Sequence, residues 1–104
     1  MDRIVERGIL YDFYGELLTE HQKKIYEELV YNDLSLSEIA DEYNISRQGV
    51  HDLIKRCDKI LEGYEDKLHL VMKFEKIRAS LKEIESLSGQ AEVKKLAEDI
   101  LDEI

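Results

Sequence analysis

The stretch "SLSEIADEYNISRQGVHDLIKR" (residues 35–56) decides the fold. Two apolar-periodic runs flank Asn44-Ile45-Ser46: a short one from Ser37 to Tyr43, and a longer one that opens at Ser46 and continues past Arg56. Ile39, Ala40 and Tyr43 share one face of the first. Val50, Leu53, Ile54, Cys57, Ile60 and Leu61 share one face of the second, at helical spacing. Two helices that cross tightly need a small residue at the contact, and Ala40 supplies it. The turn needs a residue that accepts left-handed backbone, and Asn44 does so readily. Ser37 and Ser46 are expected to cap the two helices, and Glu38 suits the positive end of the first dipole. Residues 37–59 are therefore expected to form a helix-turn-helix, with Ile45 plugging its turn.

Working outward, a first helix is expected over residues 2 to 18. Ile4, Val5, Ile9, Leu10, Phe13, Leu17 and Leu18 form its apolar stripe, and Gly8 and Gly15 weaken it by up to about 1 kcal/mol each. A second helix follows Thr19, with Gln22 at capping-box spacing. Ile25, Tyr26, Leu29 and Val30 line its apolar face. Beyond the helix-turn-helix, "EGYED" is expected to break or bend the chain near Gly63. A long helix from about Glu65 to Leu87 then carries Leu70, Phe74, Ile77, Leu81 and Ile84 at coiled-coil spacing over two heptads. "SLSGQ" ends it, and residues 91–104 form a last amphipathic helix. The expected organisation is a helical domain over 1–62 and C-terminal helices over 63–104.

Composition agrees with an all-α chain. Of 104 residues, 43% are hydrophobic, none is proline and five are glycine. No apolar run approaches the roughly 20 residues of a membrane span. The segment "MDRIVERGIL" lacks a signal-peptide core, so a cytoplasmic protein is expected. The lone Cys57 excludes an internal disulfide and belongs to the core stripe. His21, His51, His69 and Cys57 show no metal-ligand spacing. There is no phosphate loop and no nucleophile motif, so neither cofactor nor catalysis is expected. His69 reads as a packing or interface side chain. Most of the eight aromatics belong to the core, although Tyr11, Tyr14 and Tyr31 could line a partner surface.

The net charge of −9 is unevenly spread. Residues 1–45 carry −7, residues 60–104 carry −4, and residues 46–59 carry +2. The only positive segment is thus the second helix of the motif, flanked by acids that repel phosphate. On that helix Arg47 can pair with guanine and Gln48 with adenine, and His51 faces the same groove. Ser46, Lys55 and Arg56 are placed for phosphates or the groove edge. The competing reading is an ordinary solvated helix face with a capping serine, and Gly49 softens the helix there.

The segment resembles region 4 of bacterial sigma factors, which reads the −35 promoter element. It is more similar, over a longer span, to the YlxM family of small helix-turn-helix proteins. "DFYGELLTEHQ" (12–22), "LSLSEIADEYNISRQGVHDLIKR" (34–56) and "ILEGYEDKLHL" (60–70) match that family's most recognisable stretches in order. Gly49 departs from the alanine more often found there. The resemblance implies an all-α protein with a sigma region 4-like helix-turn-helix core and a long C-terminal helical extension. It also implies a link to the signal recognition particle, whose GTPase or receptor genes usually neighbour the family's. DNA binding and a regulatory role are the family's usual inferred functions.

Three readings follow: a DNA-binding regulator, a protein-interaction module acting on the particle's GTPase, and a binder of the particle's RNA through the same basic helix. The seam Leu70, Phe74, Ile77, Leu81 and Ile84 can pack back onto the first two helices or onto a second copy. A homodimer is expected, and its two-fold axis would present two recognition helices to a palindromic site.

Overall fold

A computed structural model describes residues 3–103. Asp2 and Ile104, expected in the first and last helices, lie outside the described residues. Six α-helices make up the described chain, and no strand occurs among these residues. They are α1 (Arg3–Tyr14), α2 (Glu20–Val30), α3 (Leu36–Tyr43), α4 (Arg47–Leu68), α5 (Leu70–Leu87) and α6 (Ala91–Glu103), with a 3-10 turn at Gly15–Leu17. The chain divides into two compact units, the first ending at Leu68 and the second beginning at His69.

In the first unit, α1, α2 and α3 all pack against α4. Val50, Ile54, Cys57 and Leu61 give α4 a buried stripe at helical spacing, facing Ile25 and Tyr26 of α2 and Ile39 and Ala40 of α3 within one core. Leu53 and Ile60, expected in that stripe, are only half-buried at its margins. On α1 the buried face differs from the expected one. Of the expected stripe, Leu10 and Leu18 are buried and Ile9 is half-buried, but Ile4, Val5, Phe13 and Leu17 are exposed, and Tyr11 and Tyr14, outside that stripe, are buried instead. Tyr11 and Tyr14 therefore belong to the core, and Tyr31 remains about half exposed. A buried phenol needs a partner for its hydroxyl. Tyr11 donates to Glu27 Oε2 at 2.6 Å and Tyr14 donates to Glu65 Oε1. Tyr11 also stacks on Tyr26, with ring centroids 5.6 Å apart. Apolar spacing undervalues tyrosine because it counts the hydroxyl and misses the ring.

Gly15 follows α1 rather than sitting within it. A methyl group there would meet ring atoms of Tyr11 at 2.8 Å, so the missing side chain lets the turn close over that ring.

Local signals set the helix ends. Thr19 and Gln22 form the expected capping box of α2. The cap of α3 is Ser35, not Ser37: the Ser35 hydroxyl accepts from the Glu38 N–H at 3.1 Å and the Glu38 carboxylate accepts from the Ser35 N–H at 2.9 Å. Glu38 stands three residues after Ser35, and that reciprocal spacing selects Ser35 as the cap.

The largest departure concerns the C-terminal half of α4. This helix passes through Gly63 without a break and runs 22 residues. One interior glycine costs about 1 kcal/mol, which flanking buried groups such as Leu61 easily offset. The break falls at His69, whose backbone is left-handed at φ 57°. His69 thus serves by its backbone, at the N-terminus of α5, and its ring is exposed.

The second unit is a helical hairpin in which α5 packs on α6, burying Leu81 and Ala97. α5 is 18 residues long, shorter than expected. Of the seam residues, Leu70 and Phe74 are half-buried, Leu81 is buried, and Ile77 and Ile84 are exposed. Part of the seam is therefore covered by α6 of the same chain.

Burial also fixes how the first unit responds to alkali. Desolvation, with Asp58 adding to it, pushes the Cys57 thiol up to about 11. Desolvation and the hydrogen bond to Asp58 push the Tyr26 phenol well above its ordinary value. Both groups stay protonated in the folded chain at pH values where the unfolded chain has released its protons. The Cys57 contribution is intact below the ordinary thiol range, near pH 8.5, and is lost as pH rises through about 11, whereas that of Tyr26 begins to fall only above the ordinary phenol value near 10. Urea midpoints measured at pH 8, 9 and 10.5 should fall progressively. A midpoint that does not move across that range would contradict this burial.

Candidate nucleic-acid interface

The turn between α3 and α4 is built as the sequence requires. Asn44 has φ 55° and ψ 45°, the left-handed conformation, and its N–H donates to the Ala40 carbonyl. The Ile45 N–H returns to the same carbonyl at 3.0 Å. These bonds close α3 and redirect the chain within two residues. Ala40 is buried near the crossing, where a larger side chain would force the helices apart. Ile45 covers the turn only in part and is 38% exposed.

Ser46 then caps α4: its hydroxyl oxygen accepts from the Gly49 N–H at 2.9 Å. A methyl group at Gly49 would come 3.0 Å from that oxygen, so glycine leaves the cap room. The capping lone pair is used inward, while the Ser46 O–H proton stays available to a phosphate oxygen.

The structure brings all six expected contact residues onto α4 or its cap. Ser46, Arg47, Gln48, Lys55 and Arg56 are exposed, and His51 is half-buried. Arg47, Lys55 and Arg56 have no recorded ion pair among the described residues. Gln48 is engaged: its amide donates to Asp52 Oδ1 at 2.9 Å. Asp52 also lies 3.6 Å from His51 Nδ1, a nitrogen that is shielded from solvent and has no hydrogen-bond partner. The outer face of α4 therefore combines three cations with one carboxylate that competes for Gln48.

Sequence inspection missed what holds this face outward. Asp58, which lines the same concavity as His51 and Lys55, is 4% exposed and accepts from three side chains on two other helices. Arg7 forms a fork on it, with Nε to Oδ1 at 3.0 Å and Nη2 to Oδ2 at 2.7 Å. Arg3 Nη2 reaches Oδ2 at 3.0 Å, and the Tyr26 hydroxyl donates to Oδ1 at 2.7 Å. Bidentate guanidinium–carboxylate pairing fixes orientation as well as distance. Asp58 thus joins α1, α2 and α4 and fixes the rotation of α4 about its axis. Its position directly after Cys57, inside an apolar stripe, was the available signal.

The profile of the family described as "Putative helix-turn-helix protein, YlxM / p13 like" (UPF0122) matches residues 1–102. The chain belongs to this family. Among its UPF0122 relatives, a protein of Shouchella clausii is 40% identical over 104 residues, covering all of this chain and 95% of that one. A protein of Acetivibrio thermocellus is 45% identical, covering all of this chain and 97% of its own length. A third, from Desulforamulus reducens, is 49% identical over 81% of this chain and 76% of that one. The expected resemblance and the all-α helix-turn-helix fold are thus borne out. No helix among the described residues is long and apolar enough to cross a membrane.

Proposed function

We propose that this YlxM-like protein is a non-enzymatic regulator that reads double-stranded DNA with the first two turns of α4. The observation that carries this reading is the exposed N-terminal turn of α4, with Arg47 and Gln48 outward immediately after the Asn44 turn. Side chains near the start of a recognition helix are the ones that reach base edges. Lys55 and Arg56, two turns further on, suit flanking phosphates, and the Ser46 hydroxyl suits one more.

The surrounding acidity predicts weak binding to arbitrary sequence. Selection from a random duplex library should enrich one motif. Anisotropy on that motif should show affinity falling with salt, at a log–log slope of about −2 for two neutralised phosphates per chain. An absence of both an enriched motif and saturable binding at 50 mM salt would remove this reading.

Self-association through the α5–α6 unit belongs to the same proposal. Ile77 and Ile84 are 44% and 46% exposed on α5, and Leu87, Leu96 and Ile100 of the same unit are exposed as well. Light scattering should give about twice the 12.2 kDa of one chain. Ile77→Asp with Ile84→Asp should return the monomer, and a monomeric parent would refute the dimer.

One observation favours a second reading, in which an acidic face engages a basic protein such as the GTPase of the signal recognition particle. The Glu42 carboxyl is raised from its ordinary value by the hydrogen bond it donates to Glu28, by desolvation and by the Glu28 charge. Crowded carboxyls on one surface gain from an incoming cation. Capture of that GTPase should be strong at low salt and weaken as salt rises; no capture at low salt excludes it.

A further inference from the structure

All four helices of the first unit contribute to one cavity of about 430 Å³, a size that suits a small-molecule site. Leu29 of α2, Leu36 of α3 and Ile54 of α4 form apolar walls. Arg3 and Arg7 of α1, and Lys55 and Lys59, one turn apart on α4, add four cations to its lining. Its acids are already matched. Asp58 is held by Arg7 and Tyr26, and Glu62 takes Arg3 Nη1 at 3.1 Å. Lys55 and Lys59 have no recorded carboxylate partner among the described residues. His51 also lines the cavity, and its shielded Nδ1 has no hydrogen-bond partner.

Two cations in excess, gathered in one concavity of a chain with net charge −9, repel each other without a local counter-charge. Apolar walls with a few convergent charged groups are the usual make-up of a ligand pocket.

We propose that this cavity binds a small phosphorylated molecule with a planar or apolar body. The body lies against Leu29, Leu36 and Ile54, and the phosphates lie between Lys55 and Lys59, within reach of the arginines. The proposal does not rest on DNA reading, because Lys59, Arg3 and Arg7 lie outside the proposed base-reading face. It adds a consequence to that reading: Lys55 and His51 belong to both surfaces, so an occupied cavity withdraws them from a duplex, and each ligand weakens the other by the same factor.

The test is titration of the full chain with ADP and, separately, with inorganic pyrophosphate, followed by amide chemical shifts at low salt. Saturable shifts at Leu29, Leu36, Ile54 and Lys59 are expected, with ADP at least tenfold tighter than pyrophosphate because only ADP fills the apolar walls. Lys59→Glu should weaken ADP at least tenfold, while Arg47→Ala leaves it unchanged. Lys59 is exposed, so a native circular dichroism spectrum for its variant is expected and checks the fold. No saturable shift at 5 mM ADP overturns the proposal. So do shifts confined to Arg47 and Gln48, which mark the phosphates as binding on the duplex face. Unaltered ADP affinity in a folded Lys59→Glu chain overturns it as well.

Discussion

Asp58→Ala should lower the stability of the first unit by roughly 3 kcal/mol, near the lower bound for breaking one partner of a buried ion pair. The carboxylate receives both arginine side chains and the Tyr26 hydroxyl. Its removal strands a fully buried phenol, and an unmade buried hydrogen bond costs about 1–3 kcal/mol. It also strands Arg7, whose side chain is only 20% exposed. Arg3, at 47% exposed, can turn to water, which keeps the loss from being larger. For a unit of this size the melting temperature should drop on the order of 15 °C. Asp58→Ala combined with Arg7→Met should cost less than the two changes summed, because the second removes the charge that the first leaves unpaired. Thermal melts of the four proteins complete the cycle. Additive losses would mean that the fork contributes no coupling and that another contact fixes α4.

That network marks where sequence was a poor guide. The motif itself was legible because its demands are local: a small residue at Ala40, a left-handed turn at Asn44, a capping hydroxyl at Ser46. Each acts within a few residues and needs no knowledge of distant partners. Asp58 was not legible as an anchor, since its partners Arg3, Arg7 and Tyr26 lie 32 to 55 positions away. A carboxylate inside an apolar stripe signals a buried partner without naming it. The helix break failed for a related reason. Gly63 looked like the weak point, but propensity is a small term once a helix is packed. His69 carries the break instead; histidine, like asparagine, is enriched in left-handed backbone, but that preference alone does not place a helix end. The tyrosines of α1 show the same limit, since Glu27 and Glu65 decide that Tyr11 and Tyr14 can be buried. The candidate interface was legible as a set of residues on α4, while the Gln48–Asp52 hydrogen bond was not, because it depends on rotamers.

The contact residues should separate into two kinds when tested on the selected duplex. Arg47→Ala and Gln48→Ala each remove a side chain able to make two hydrogen bonds to one base, worth about 1–3 kcal/mol of discrimination apiece. Together they should weaken the selected site by about 100-fold and leave arbitrary sequence nearly as it was. Lys55→Ala with Arg56→Ala should instead weaken both duplexes alike and flatten the salt slope, since phosphates carry no sequence. Gln48 complicates the first pair. It must release Asp52 before it can reach adenine, so part of its contribution is spent on that exchange. Asp52→Ala therefore has a predicted sign: it frees Gln48, removes a negative charge from the face, and tightens both specific and arbitrary binding. None of these surface changes touches the Asp58 anchor, so helicity should be unchanged throughout. If Arg47→Ala with Gln48→Ala lowers affinity equally for selected and arbitrary duplexes, the first turn of α4 acts only as charge, and the bases are read elsewhere or not at all.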